Sequence, residues 1–402
     1  MGENWPSIEH ETLPWTIDPE LRDAMPKSRR RKIGQTYEAS IPVTISDCDL
    51  LLPQATIERL SEVTALLARF DEQQRNRGYD LPALLLRSES SASSQIENLT
   101  SSARNVALAE LSDKAPGNAQ LIVGNLQAMR QALEAEDELD LPGILEIHRT
   151  LINRNGATFG GSLRTEQVWV GGNAYSPHGA LYVPPAHERV PACMEDLVAF
   201  TQRRDLHPIA KAAIAHAQME TIHPFIDGNG RTGRVLIHKL LRDEGVLEQV
   251  MLPVSAGLLH NIDAYMDSIT RYQQGDPTAV IDQLADALEL AVVIGARTAG
   301  KMDEVIAGWE SDIAERKGSS IHRLPLVLVE QPVVDSAYLS RALGITTRAA
   351  TSLIAKACEY GILRPMGNRM RGEFYQADQV IDVLEEISDV QGIRRVLAGT
   401  GA

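Results

Sequence analysis

The 402-residue sequence predicts a mainly α-helical protein of two to three domains, with one short β-hairpin and a separate carboxy-terminal module. Three observations lead there. Apolar residues recur at three- and four-residue steps, as at Ile57, Leu60, Val63, Leu66, Leu67 and Phe70, which sets them on one helix face. A single stretch, Gln167 to Pro185, instead alternates large apolar residues around Gly, Asn and Pro. Beyond Gly318-Ser-Ser the helical pattern restarts with its own spacing.

Each element follows from local sequence. Residues 1–53 mix Pro, charge and the basic run Lys27–Lys32 without periodicity, and read as an arm that wraps the body. Helices are expected over 56–75, 82–99 and 118–136, which makes 54–135 an amino-terminal helical region. The next unit, 136–317, takes helices over 142–153, 187–202 and 207–222, another from near Arg231, and a long run from Asp276-Pro277 to about Lys317. Its hairpin pairs Gln167-Val-Trp-Val-Gly-Gly-Asn with Ala180-Leu-Tyr-Val-Pro-Pro. Residues 318–402 hold helices around 322–330, 336–343 and 346–360. Two strands then flank Gly367-Asn-Arg-Met-Arg-Gly, an order that resembles a winged helix-turn-helix domain.

Composition bounds the function. With 44% hydrophobic and 23% charged residues the chain is neither disordered nor collagen-like. A net charge of −15 argues against a surface that binds nucleic acid throughout. Cys48, Cys193 and Cys358 form no C-x-x-C pair, so reduced thiols in a soluble, cytoplasmic protein are expected. No apolar stretch approaches the roughly 20 residues of a membrane helix, and no membrane partner is expected.

The chemistry concentrates in His223-Pro-Phe-Ile-Asp-Gly-Asn-Gly-Arg-Thr-Gly-Arg234. Gly228, Gly230 and Gly233 spell G-x-G-x-x-G, but a helix precedes them where a dinucleotide fingerprint needs a strand. What remains is a glycine-rich loop feeding a helix amino terminus, a site for anions. Gly228 and Gly230 let main chain approach phosphate, while Arg231 and Arg234 project toward further phosphates. Asp227 is a hard oxygen ligand suited to Mg²⁺, and His223 is the one group in the loop that takes a proton near neutrality. These residues point to a nucleotide polyphosphate, a metal and a general base, hence transfer of a phosphorus-containing group to a hydroxyl.

The same residues match H-P-F-x-D-G-N-G-R-x-x-R at every specified position, and the chain resembles the Fic (Fic/Doc) family from about residue 54 to 315. The resemblance implies a Fic-type helical core with a β-hairpin flap, and AMP transfer from ATP to a Ser, Thr or Tyr hydroxyl of a target protein. It implies that His223 deprotonates that hydroxyl and Asp227 holds Mg²⁺ between the α- and β-phosphates. Asn229, Gly228 and Gly230 would cradle the phosphates, with Arg231 at the β- and Arg234 at the γ-phosphate. Val168, Trp169, Val170, Gly171 and Gly172 would form the target-binding flap, and Tyr265 would touch the adenine. Arg164 stands where the family has an arginine before the flap, without an assigned role.

Ser93-Ser-Gln-Ile-Glu97-Asn98 resembles the family's inhibitory motif, in which the glutamate takes the second arginine and displaces the γ-phosphate; here Glu97 would pair with Arg234. Self-modification, a homodimer and removal of AMP are left open by the resemblance. Transfer of another phosphorus-containing group is an alternative, although kinase relatives carry lysine where this chain has Gly230. Another is a nucleotide-sensing DNA-binding regulator: Arg341, Arg348, Lys356, Arg364, Arg369 and Arg371 face Glu359 alone in the tail. An ordinary solvated face of a protein-binding module is the favoured account of those charges. His148 is expected to pack near the core. His216, Glu220 and His223 are rejected as a zinc site because Pro224 ends the helix there.

Overall fold

The computed structural model describes residues 5–17, 33–75, 77–153, 157–248, 250–367, 373–388 and 390–398. The basic run Lys27–Lys32, and Arg369 and Arg371 of the tail, lie outside the described residues. The amino-terminal arm, read as wrapping the body, contains a strand pair that was not foreseen: β1 (Glu9–Pro14) and β2 (Thr36–Ile41) pair antiparallel, Glu9 opposite Ile41 and Pro14 opposite Thr36. Two six-residue strands far apart in sequence leave no periodic signature that a window would detect. The pair is stable because it packs on the flap: Ser40 donates its N–H to Val183 O at 3.0 Å, and Trp15 meets Tyr37 and Trp169 edge-on.

The helices up to residue 312 follow as α1 (Gln54–Gln74), α2 (Leu81–Ile96), α3 (Ala103–Ala109), α4 (Gly117–Glu134), α5 (Leu141–Asn153) and α6 (Val190–Thr201), then α7 (Pro208–Ile222), α8 (Asn229–Asp243), α9 (Val254–His260), α10 (Ile262–Gln273) and α11 (Pro277–Asp312). At the centre, α7 and α8 pack against each other with nearly every residue buried. The Ala-rich α7 has no polar face to give to solvent, as suits a helix surrounded by others. Around this pair stand α2, α4, α5 and the 36-residue α11, about 54 Å long. Gly257 of α9 meets the main chain of Ala287 on α11 so closely that any Cβ would collide.

Two boundaries moved. The second helix stops at Ile96 rather than Leu99, because Asn98 takes φ +59° and turns the chain back, with Leu99 N–H bonded to Ser94 O. The long helix ends at Asp312 rather than near Lys317. Helices α3, α9 and α10 were not foreseen; two are seven residues long, too short for a period to register.

The expected hairpin is not a regular one. Its two arms touch through isolated bridges, Val170 with Tyr182 and Asn173 with Ser176. Positive φ at Gly171, Gly172 and Gly179 coils the tip, and Trp169 Nε1 donates to Asn173 O at 2.6 Å.

In the tail, α12 (Leu324–Glu330), β3 (Val333–Val334), α13 (Ser336–Leu343), α14 (Thr347–Glu359), β4 (Arg364–Pro365), β5 (Tyr375–Gln376), α15 (Asp378–Ser388) and α16 (Val390–Ala398) form a small unit. Its antiparallel sheet runs β3-β5-β4. The closing helices α15 and α16 were not anticipated. Buried apolar residues of this unit, including Leu339, Val380 and Leu384, belong to the same continuous core as those of α7 and α8. Among the described residues no helix is long and apolar enough to cross a membrane.

Candidate active site

The helix α7 ends where His223 adopts φ 50°, ψ 60°, a left-handed conformation that a side chain with a Cβ rarely takes. Strain of this kind persists only where surroundings fix it. They do so through Arg164, which donates from Nε to His223 O at 2.9 Å and from its N–H to Pro224 O at 2.9 Å. The same guanidinium donates to Glu166 O at 2.9 Å and Pro185 O at 2.5 Å, one on each arm of the flap. Sequence reading left Arg164 without a role; it is the buried staple that fixes the His223 turn to the flap.

Two further brackets shape the loop. Asn229 accepts from Phe225 N–H at 2.8 Å and donates back to Phe225 O at 2.9 Å, so its amide is engaged with the loop's own main chain. Phe225 is buried and stacks on His148 at 3.6 Å between ring centres. His148 accepts from Gly161 N–H at 3.0 Å and therefore presents its other ring nitrogen as a donor to Asp227 O, 2.9 Å away. Burial pushes His148 down to about 4, so it stays neutral and keeps that tautomer. Sequence reading gave it a packing role alone.

Gly228 begins α8 at φ +82°, and its bare Cα lets Leu151 and Ile152 close under the loop. Its N–H donates to Asp227 Oδ1 at 2.7 Å. The Asp227 carboxylate itself is mostly exposed to the cavity. On α8, Arg231 is buried with Nε and Nη1 unpartnered among the described residues and Nη2 3.4 Å from Asp227. Burial lowers its basicity. Unpaired buried donors of this sort are costly unless an anion joins them.

Arg234 is fully engaged. Nε donates to Ser93 Oγ at 2.9 Å, and Nη2 donates to Ser93 O at 2.8 Å and to Glu97 Oε1 at 2.9 Å. Burial alone would raise the Glu97 carboxyl, but the Arg234 guanidinium beside it prevails and holds it below its ordinary value. Glu97 is the C-cap of α2, and a Cβ on Gly230 would run into its carboxylate. The left-handed Asn98 makes the turn that leaves Glu97 at the helix end.

One cavity of ≈ 480 Å³ is lined by His223, Asp227, Gly228, Asn229, Gly230, Arg234, Glu97, Tyr265 and Val170, whereas Arg231 does not line it. Burial pushes His223 down to about 4, so it is an unprotonated imidazole at neutral pH. Its Nδ1 lies 4.0 Å from Glu220, a cavity-lining carboxyl that burial and the neighbouring Glu97 push up to about 7. Helical spacing three residues before His223 is the signal that could have found it. His216 does not converge with them on a metal: it bonds Tyr265 Oη at 2.8 Å, and no cluster of three or more His, Cys, Asp or Glu is set to hold one among the described residues. Tyr265 is nearly fully buried as part of the lining, and Met266 and Ile269 beside it, with Val170 and Leu181 opposite, form the cavity's apolar side. Of the other flap residues, Val168, Trp169, Gly171 and Gly172 do not line the cavity, and Trp169 packs on Trp15.

Comparison with known proteins converges on the same segment. The model of the Fic/DOC family matches residues 138–241. The chain is 40% identical over 111 residues to "Protein adenylyltransferase Fic" of Drosophila grimshawi, covering 27% of this chain and 21% of that protein. It is 36% identical over 118 residues to "Protein adenylyltransferase fic-1" of Caenorhabditis elegans, covering 29% and 22%. The matched part is thus about a fifth of these relatives' length. A crystal structure of a Fic family protein from Desulfovibrio desulfuricans G20 superposes with TM-score 0.54 over 82% of this chain and 97% of that one, at 22% identity, a likeness of fold. Helical core, motif and matched segment coincide: residues 138–241, which match the Fic/DOC family, hold the 223–234 loop.

Proposed function

We propose that the protein is an adenylyltransferase that moves AMP from ATP to a Ser, Thr or Tyr hydroxyl of a target protein and is restrained by Glu97. The observation that carries this is the pair of buried guanidiniums, Arg231 with unpartnered donors and Arg234 held by a carboxylate, at a helix amino terminus beside a neutral histidine. ATP fits this site with its phosphates along Gly228, Gly230 and Arg234, the buried Arg231 adding its charge from behind Asp227, and its base against Val170, Leu181, Met266 and Ile269. Tyr265, nearly fully buried in the same lining, completes that wall.

The chemistry follows from the residues. His223, unprotonated, takes the proton from the target hydroxyl; that oxygen bonds to the α-phosphorus, and the bond to the pyrophosphate oxygen breaks. Asp227 suits Mg²⁺ as a single exposed carboxylate, with phosphate oxygens and water completing the shell. When bound, the ion would offset charge on the bridging phosphates. Asn229 acts by holding the loop, so its contribution to phosphate binding passes through the main chain it braces. The flap, fixed by Arg164, would hold a target segment by main-chain pairing at the edge beside Val170.

We read residues 1–53, 54–135, 136–317 and 318–402 as arm, inhibitory region, catalytic core and winged-helix-like module of a cytoplasmic protein. The module's basic face supports protein contact over DNA: Lys356 pairs with Glu315 at 2.6 Å and Arg364 with Asp378 at 2.7 Å, which leaves fewer free cations for phosphates. The test uses wild type, Glu97→Gly and His223→Ala with Mg²⁺ and ATP labelled at the α- or γ-phosphate. Label on protein from α-ATP only, strongest in Glu97→Gly and absent in His223→Ala, is expected. Label from γ-ATP alone would make it a kinase.

A further inference from the structure

One turn of the helix that carries Glu97 is tied to three separate parts of the molecule. Arg87, Ser88 and Glu89 of α2 are all at most 4% exposed. Glu89 faces inward: Ser255 of α9 donates to it from N–H at 2.7 Å and Oγ at 2.5 Å, and His238 Nε2 of α8 lies 2.9 Å from its carboxylate. Arg87 turns to Glu110 at 2.6 Å and to Gln331 Oε1 at 3.2 Å, and Gln331 in turn donates to Ala107 O at 3.1 Å. Ser88 donates to Ile387 O of α15 at 2.7 Å. Gln331 and Ile387 both belong to the carboxy-terminal unit.

The inward contacts form a ladder. Glu89, Ser93 and Glu97 are successive turns on one face of α2, and they meet His238, Arg234 and Arg234 again along α8. Glu97 therefore reaches Arg234 only while α2 keeps its register along α8. The outer side of α2 is supported unevenly. At Ser88 the carboxy-terminal unit touches it directly, whereas Ser91 and Gln95, nearer Glu97, are separated from Glu385 and Ser388 of α15 by a gap of ≈ 230 Å³. The helix is thus held by the carboxy-terminal unit at its middle and open behind its working end.

We propose that the carboxy-terminal domain is the partner that sets the brake, its interaction surface being the Arg87–Ser88 turn of α2. What this domain binds would shift α15 and Gln331, and the shift would reach Glu97 through that turn. The inference rests on the reading that Glu97 competes with the γ-phosphate for Arg234.

The experiment measures ATP and ADP binding to the full chain by calorimetry, in Mg²⁺, for wild type, Ser88→Val, Gln331→Leu, Glu97→Gly and the double variant Ser88→Val/Glu97→Gly. ADP lacks the phosphate that competes with Glu97, so the ATP-to-ADP affinity ratio reports the brake alone. Loss of one buried hydrogen bond should raise that ratio about 3- to 10-fold in Ser88→Val and in Gln331→Leu, with cooperative melting retained. The double variant should match Glu97→Gly. A gain in Glu97→Gly with none in either folded single variant overturns the proposal, as does an equal gain from Ser88→Val without Glu97. No change in Glu97→Gly itself would strike the reading beneath it.

Discussion

Replacing Glu97 by glutamine keeps the shape of the carboxylate and removes its charge, so it isolates what the Arg234 contact contributes. The Oε1–Nη2 distance is 2.9 Å, with Arg234 1% and Glu97 38% exposed at the side chain. Two unit charges at that separation would interact by about 6 kcal/mol at an effective dielectric constant near 20. Glu97 is more than a third open to solvent, and screening cuts this to the range of a charge-assisted hydrogen bond, about 2 kcal/mol. If, as proposed, ATP displaces Glu97 to bring its γ-phosphate to Arg234, removing that competitor should tighten ATP binding about 30-fold. ADP binding should change less than about threefold, since its phosphates end short of Arg234. Calorimetric titration of both nucleotides into wild type and Glu97→Gln provides the check. Equal tightening of ATP and ADP would refute competition at Arg234, because a general loosening of the cavity would then account for the gain.

Other expectations follow from the same contacts. Removing the staple with Arg164→Met frees His223 O, Glu166 O and Pro185 O from one partner and loosens both flap arms, while the main-chain bond to Pro224 O stays; transfer to protein should fall more than 100-fold while ATP binding holds within a few-fold, measured by label transfer and calorimetry. His148→Leu removes the donor to Asp227 O, whereas His148→Gln can keep one; the Mg²⁺ needed for half-maximal ATP binding should rise in the first and recover in the second. Three buried histidines, His148, His216 and His223, sit at about 4, 3 and 4, against 6.5 when unfolded, so unfolding takes up three protons between pH 6.5 and 4.5. Glu220, raised to about 7, releases one there, and stability should fall by about 2.7 kcal/mol per pH unit as pH drops through that window. Glu220 opposes the histidines throughout that window, its stabilisation being full below 4.5 and lost as pH rises to 7; denaturant unfolding of Glu220→Gln should therefore show a steeper acid decline, about 4 kcal/mol per pH unit.

What the sequence disclosed, and what it hid, divides by range of interaction. The motif 223–234 was readable because its chemistry is local: a helix end, glycines at fixed spacing and two arginines one turn apart. Glu97 was readable only through resemblance, since nothing in Ser93-Ser-Gln-Ile-Glu states that Arg234, 137 residues later, will be its partner. Arg164 and His148 were visible as residues and opaque as roles. Each works by bonding main chain brought near by folding, His223 O and Asp227 O, and main-chain acceptors carry no sequence signal. The amino-terminal strands failed for the same reason, because β1 and β2 owe their order to Val183 and Trp169 of the flap. The Ser-rich stretch of α2 is the sharpest case. Ser88, Ser90, Ser93 and Ser94 would suit an exposed helix by composition, yet all four are fully buried. Small hydroxyls let neighbours approach closely, and Ser88 and Ser93 bond across elements, to Ile387 O and to Arg234. A helix built this way packs well in one register and offers little apolar surface to hold it in any other, which suits the proposed brake, in which α2 seats a carboxylate on Arg234 and lets it go.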